Sequence, residues 1–253
     1  MTIPSYVGFD LETTGTDPES ARIVTAAVVE VLHGSVVRSR TWLVNPGVEI
    51  PAEASRVHGV STERASSEGM DPGRATAEIA GQVCQVLNSG GPLVIMNAPY
   101  DLTLLDRECR RYGVTPVTDM LAAQPAAVVL DPLVLDRHVD PYRPGRRTLQ
   151  ALAEYYKVSL TNAHEASADA EAAVRITDAI LNQAPDEIGL SRTTRHAQVQ
   201  GRELSELHLM QQLWHAAWAA GYQDWVRRTR RTAVVVPGDW PVTAHPQEQS
   251  LAA

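Results

Sequence analysis

The sequence predicts an α/β chain: a mixed five-stranded sheet flanked by helices, carrying a C-terminal helical extension. Two observations point there. Residues 5–10, 23–31 and 35–44 read as consecutive strands rich in β-branched residues. Two shorter apolar runs, 93–96 and 128–130, are set among stretches with helical spacing. A meander followed by strands that alternate with helices gives a sheet with both antiparallel and parallel neighbours.

Taken in order, Tyr6, Val7 and Phe9 give the first strand its character, and Thr13-Thr14-Gly15 ends it. The second and third strands turn through His33-Gly34 as a hairpin. Asn45-Pro46-Gly47 breaks the pattern, and Pro51 to Glu63 reads as a loop holding Val57-His58-Gly59-Val60. Ile79, Val83, Val86 and Leu87 mark a helix over 74–88. After the fourth strand comes a helix over 101–112, and the fifth stops at Asp131-Pro132. Helices at 132–139, 147–156 and 168–182 complete a domain taken as 1–185. Residues 186–202 are polar and read as a linker. In 203–243, a Trp-rich amphipathic helix over 203–228 precedes a closing strand at Val234-Val235-Val236 and an anchor at Trp240; 244–253 reads as a loose tail. Leu207, Met210, Trp214, Trp218, Tyr222 and Trp225 recur at steps of three and four. Such a stripe is expected to pack on the preceding domain; docking a partner or stacking on nucleic acid are the alternatives.

The 253 residues suffice to bury a sizeable core, and 44% hydrophobic with 21% charged residues excludes a disordered chain. No apolar run reaches the roughly 18 residues of a membrane span. Met1–Pro4 carry no leader-like pattern before the first strand, so the cytoplasm is the expected compartment. Cys84 and Cys109 lie in helical patterns and read as reduced core thiols. Lys157 is the one lysine of 22 basic residues, which with the abundant alanine marks GC-rich coding.

The chemistry begins at Asp10 and Glu12. On a strand, positions i and i+2 share a face, so the two carboxylates project together while Leu11 points away. Anions held that close repel unless a cation lies between them, and hard oxygen ligands suit Mg²⁺ or Mn²⁺. A second apolar strand ends in Asn97-Ala98-Pro99-Tyr100-Asp101, and a third segment, His164-Glu165-Ala166-Ser167-Ala168-Asp169, feeds an alanine-rich helix.

These segments, in this order, resemble the three motifs of the DEDDh 3′–5′ exonucleases, the family typified by the proofreading epsilon subunit of bacterial DNA polymerase III. The resemblance spans about residues 5–183 and implies a ribonuclease-H-like sheet and hydrolysis of phosphodiesters at the 3′ end of single-stranded or frayed DNA; the bacterial or phage source expected for the chain comes from its GC-rich coding instead. RNA 3′-end trimming is the first alternative, and an inactive module attached to a polymerase or clamp the second. The resemblance also implies two divalent cations held by Asp10, Glu12, Asp101 and Asp169. His164 would take the proton of the attacking water, a role suited to a group titrating near neutrality. Thr13, Thr14, Val57, His58, Asn97 and Tyr100 would line the terminal-nucleotide pocket, Tyr100 packing on the last base. Pro99, where relatives carry smaller residues, is expected to stiffen its loop. A DNA polymerase is the candidate protein partner.

A net charge of −8 runs against the positive footprint of a nucleic-acid enzyme. The metal acids account for part of it, and positive charge is clustered. Arg137, His138, Arg143, Arg146 and Arg147 form one group, from which Arg143, Arg146 and Arg147 are expected to meet phosphates. Arg227, Arg228, Arg230 and Arg231 form another, read as a solvated face.

Overall fold

The five strands lie in the order β3-β2-β1-β4-β5. They are β1 Tyr6–Thr13, β2 Ile23–Leu32, β3 Ser35–Leu43, β4 Pro92–Val94 and β5 Val128–Leu130. β1–β2 and β2–β3 are antiparallel, whereas β1–β4 and β4–β5 are parallel, which is the mixed sheet the sequence predicts. This computed structural model describes residues 5–161, 163–184, 195–230 and 235–245.

Helices cover both faces. Against one lie α3 (Pro72–Ser89), α4 (Ala98–Tyr112) and α5 (Val117–Ala123), burying Ile79, Val83, Leu102 and Leu105 with Phe9 and Leu11 of β1. Against the other lie α6 (Pro132–Val139), α7 (Leu149–Tyr155) and α8 (Ala166–Asn182), burying Leu135, Leu152, Ile176 and Ile180 with Tyr6, Val29 and Val31. β1 is central and covered on both sides. Its C-terminal end, and those of its parallel neighbours β4 and β5, therefore share one edge of the sheet.

The β2–β3 turn uses His33 and Gly34 at φ 51° and 74°, the positive pair that a two-residue hairpin requires. Between β1 and α8 the approach is tighter still. A Cβ placed on Gly8 would lie 2.4 Å from the carbonyl oxygen of Ala170, so only glycine lets the helix settle onto this strand.

Several local expectations are corrected. The stretch read as a loop after Pro51 folds into two short helices, α1 (Ala52–His58) and α2 (Thr62–Glu68). Neither is long enough to show a period; they are defined by caps instead, Gly59 at φ 73° and Ser61 accepting from the Arg64 N–H. α5 was hidden for the same reason. α4 starts at Ala98, so Pro99 sits in its first turn, where a missing N–H breaks no helical bond. Residues 235–240 form no strand, and Val234 lies outside the described residues.

Residues 186–194 also lie outside the described residues, but 195–202 carry a short 3₁₀ turn, His196–Gln198, with His196 and Val199 buried. The long helix α9 (Leu204–Arg230) then runs beside β5 and α6. Its buried positions are Leu207, Gln211, His215, Ala219, Gln223 and Val226, a row set beside the aromatic stripe. Trp214 is half-buried, stacked on His138 with centroids 3.6 Å apart. Trp240 is buried in the α3–α4 layer, its indole N–H 3.4 Å from Asp131. No helix among the described residues is long and apolar enough to cross a membrane.

Candidate active site

The shared sheet edge gathers the acids. Asp10 and Glu12 come from the C-terminal half of β1, Asp101 from the first turn of α4, and Asp169 from the first turn of α8. Leu11 donates its N–H to Asp101 Oδ1 at 3.0 Å, clamping α4 to β1 between the two strand acids. From α8, Asp169 accepts the His164 N–H at 3.2 and 3.3 Å, which folds the preceding loop back across the site. His164 stands at φ 72°, in the left-handed region, with its side chain exposed. Glu12, His164 and Asp169 can bring one ligand atom each to within 4.8 Å of the others.

The electrostatics are those of acids buried close together. Burial, then the charges of Asp101, Asp169 and Glu12, hold the pKa of Asp10 well above the ordinary carboxylate value. Burial and then Asp169 push Glu12 up to about 8. Asp101 is raised well above its usual value chiefly by burial, against the pull of the Leu11 N–H, and burial raises Asp169 as well. Asp10 Oδ2 is buried with no hydrogen-bond partner among the described residues. An orphaned carboxylate oxygen facing three further acids is the donor set a hard divalent cation fits.

Around the acids, the hydroxyls of Thr13 and Tyr100 lie 2.5 Å apart, and both bond the carbonyl of Gly15. Burial pushes the Tyr100 phenol up to about 12. Thr14 faces away from this group, its hydroxyl accepting the Arg22 N–H. His58 Nδ1 accepts from the Val60 N–H at 3.2 Å, and burial, with a lesser effect of His164 nearby, lowers its pKa. Val57, His58, His164 and Ser167 line a cleft of about 560 Å³ beside the acids, shared with Thr25 and Thr41 of the sheet. Asn97 is the N-cap of α4 in the left-handed region, and its backbone N–H donates to Asp131.

The arginine expectation needs correction. Arg143 and Arg147 turn inward to the fully buried Asp136, at 3.2 and 3.1 Å, where Tyr156 also donates at 2.9 Å. A buried carboxylate needs such partners, and guanidiniums held this way are not free to meet phosphate. Arg146 alone of the three is exposed.

One important residue was missed. Asp131, buried at the end of β5, accepts the N–H groups of Asn97 and Ala98 at 3.0 Å and that of Leu133 at 2.9 Å; its own N–H donates to Gln211 at 2.8 Å. It thereby holds the start of α4, three residues before Asp101, to β5 and α9. The Asp-Pro step at a strand-to-helix junction was its sequence signal, as an N-cap.

A five-stranded mixed sheet with four carboxylates and a histidine at one edge defines a ribonuclease-H-like nuclease domain of the DEDDh type. The sequence profile of the RNase_T exonuclease family matches residues 7–177, and the chain belongs to that family of 3′–5′ exonucleases. Among curated proteins, it is 27% identical over 186 residues to the PolC-type DNA polymerase III of Lacticaseibacillus paracasei, covering 74% of this chain and 12% of the polymerase. It is 36% identical over 107 residues to an epsilon-like DNA polymerase III subunit protein of Rhodobacter capsulatus, covering 41% of this chain and 14% of the relative. The chain thus spans a small part of the curated relatives it matches. Among solved structures, a zinc-bound complex of Escherichia coli exonuclease I with single-stranded DNA superimposes with a TM-score of 0.61 at 18% identity, over 74% of this chain and 42% of that one. Exonuclease I of Methylocaldum szegediense gives 0.56 at 18%, over 74% and 42%. At such identities these two establish the fold.

Proposed function

We propose that this chain is a divalent-cation-dependent exonuclease that removes nucleoside 5′-monophosphates from the 3′ end of single-stranded or frayed DNA. The observation that carries this reading is the convergence of Asp10, Glu12, Asp101 and Asp169, whose strongest charge interactions include one another's. These four would hold two Mg²⁺ or Mn²⁺ ions, which supply charge neutralisation at the phosphate and at the attacking and leaving oxygens.

The chain's own groups do the rest. His164, exposed on its loop and tied through its backbone to Asp169, is placed to accept the proton of the attacking water. The Thr13–Tyr100 hydroxyl pair fixes the turn after β1 against α4. This leaves the Tyr100 ring and His58 to bound the terminal nucleotide, with Val57 and the Asn97 corner beyond them. Arg146 is the arginine left to meet a phosphate. DNA is assigned as substrate from the polymerase relatives and from the single-stranded DNA bound by exonuclease I. A cytoplasmic enzyme working beside a polymerase follows from the same relatives.

Digestion of matched DNA and RNA oligonucleotides, labelled at the 5′ end, tests the reading. With Mg²⁺ or Mn²⁺ the DNA should shorten in single-nucleotide steps, and chelator should abolish this reversibly. Full activity in chelator would end the metal assignment, and faster loss of RNA would move the enzyme to RNA trimming.

A further inference from the structure

Beyond the acid cluster, α9 carries a feature that the nuclease chemistry does not use. Trp218 and Tyr222 stack with centroids 5.4 Å apart and planes 9° apart, and Tyr222 and Trp225 continue at 5.6 Å and 16°. Three rings thus form one nearly parallel ladder. Its inner end is fixed, because the Arg137 guanidinium lies 3.5 Å over Trp218. Its outer end is open: Tyr222 is 38% and Trp225 42% exposed. Beside the rings Gly221 faces empty space, so no side chain crowds this flank of the helix.

The position is informative. His208 meets the Val129 backbone at 3.1 Å and Gln211 the Asp131 N–H at 2.8 Å, so α9 travels along β5 towards its C-terminal end. That is the edge where Asp10, Glu12 and Asp101 emerge, and Asp131 also holds the start of α4. The ladder follows Gln211 along the helix and so lies beyond that edge. The charge is informative too. Asp224 is the last acid of α9, and Arg227, Arg228 and Arg230 end it, with Arg230 reaching over Trp225 at 5.2 Å. In a chain of net charge −8 this is a local reversal of sign.

We infer that the outer part of α9 is a track for single-stranded nucleic acid, with bases stacking on Tyr222 and Trp225 and phosphates meeting Arg228 and Arg230. Flat rings accept any base because every base has a π-face, and arginine beside them supplies the charge a phosphate backbone needs. A paired duplex keeps its base faces covered and would not use such rings. A protein partner would find a better surface on another face of the helix, where Leu209 and Leu213 are 60% and 71% exposed. As part of an exonuclease, the track would hold the strand upstream of the 3′ end. That role rests on the proposed function, whereas binding itself does not.

The test uses the full chain in chelator, with fluorescein-labelled oligo-dT of 16 nucleotides as the probe and fluorescence anisotropy as the readout. The double variant Tyr222→Ala/Trp225→Ala should bind about tenfold or more weaker than the parent, as expected for lost base stacking. With Mg²⁺ restored, its KM should rise for a long strand, while turnover of a trinucleotide stays unchanged. Arg228→Gln/Arg230→Gln provides a second arm that leaves the rings in place. It should lower the slope of log affinity against log salt by about 0.7 for each phosphate that an arginine no longer neutralises. Unaltered affinity and salt slope in both variants would overturn the track. So would loss of self-association or of a protein partner with dT binding intact, which would make the ladder a protein interface. Oligo-dT binding without hydrolysis in any metal would instead count against the exonuclease reading and leave the track standing.

Discussion

The backbone N–H of Leu11 donates to Oδ1 of Asp101 across 90 residues of sequence, at 3.0 Å. Asp101 is therefore both a buried acid in the cluster and the acceptor for a strand amide. The two roles separate by substitution. Asp101→Asn keeps an acceptor oxygen and removes a charge, so in chelator its thermal midpoint should equal or exceed that of the parent while activity falls steeply. Asp101→Ala leaves the Leu11 N–H unsatisfied, which costs about 1–3 kcal/mol. Equal midpoints for Asn and Ala would show that the bond contributes nothing.

Stability without metal should fall as pH rises. For Glu12 the folded pKa, about 8, stands above the ordinary carboxylate value, and Asp10 and Asp101 shift in the same direction. Between the unfolded and folded pKa values the native state binds more protons than the unfolded chain, so the slope of stability against pH is negative there. The window for Glu12 opens near 4.5 and closes near 8. Thermal midpoints in chelator should decline across it, and saturating Mg²⁺ should flatten the decline. A midpoint that climbs through this range in chelator would contradict the site's electrostatics.

His164 is best replaced by asparagine, which tolerates the left-handed backbone at φ 72° better than alanine does. The bond to Asp169 comes from the backbone and survives the change. His164→Asn should then lower kcat by roughly 10²–10⁴-fold, the range for a lost general base, with metal affinity retained. Collapse of metal affinity, measured by calorimetry, would make His164 a ligand instead.

A chain ending at residue 184 would lose α9 and Trp240 together. It would uncover apolar surface now buried with Leu207, Val226 and Trp240, and strip Asp131 of its Gln211 and Trp240 partners. Each large apolar side chain contributes about 1.5–3 kcal/mol by burial, so the loss is several kcal/mol of a total near 5–15. The shortened chain should melt at lower temperature or aggregate. Equal stability and solubility would mean that α9 does not support the domain it lies against.

The sheet, its hairpin turn and the Asp10–Glu12 pair were legible because each is written locally, whereas the joining of Asp101 and Asp169 to that pair was implied by the family resemblance. A strand run, a two-residue turn and an Asp-x-Glu step need no knowledge of distant chain. What stayed hidden was relational. Nothing near Arg143 or Arg147 shows that Asp136 lies buried and in need of both. The aromatic residues of α9 have the spacing of a packed face, yet Gln211 and Gln223 take the interior because β5 and the segment at Val236 offer them backbone partners. Asp131 looked like the end of a strand because its role is defined by α4 and α9, elements far from it in sequence.

The closeness of Gly8 to Ala170 bears on how this chain could be engineered. Glycine within a strand is a standing invitation to replacement, since alanine there ordinarily narrows the unfolded ensemble and raises the melting point. At Gly81, in open space on α3, the exchange should succeed. At Gly8 the added methyl would wedge β1 from α8, and with it Asp10 and Glu12 from Asp169, because the helix carbonyl cannot retreat without its turn. A stability-guided library that treats the two glycines alike would therefore gain heat resistance at one and discard the enzyme at the other.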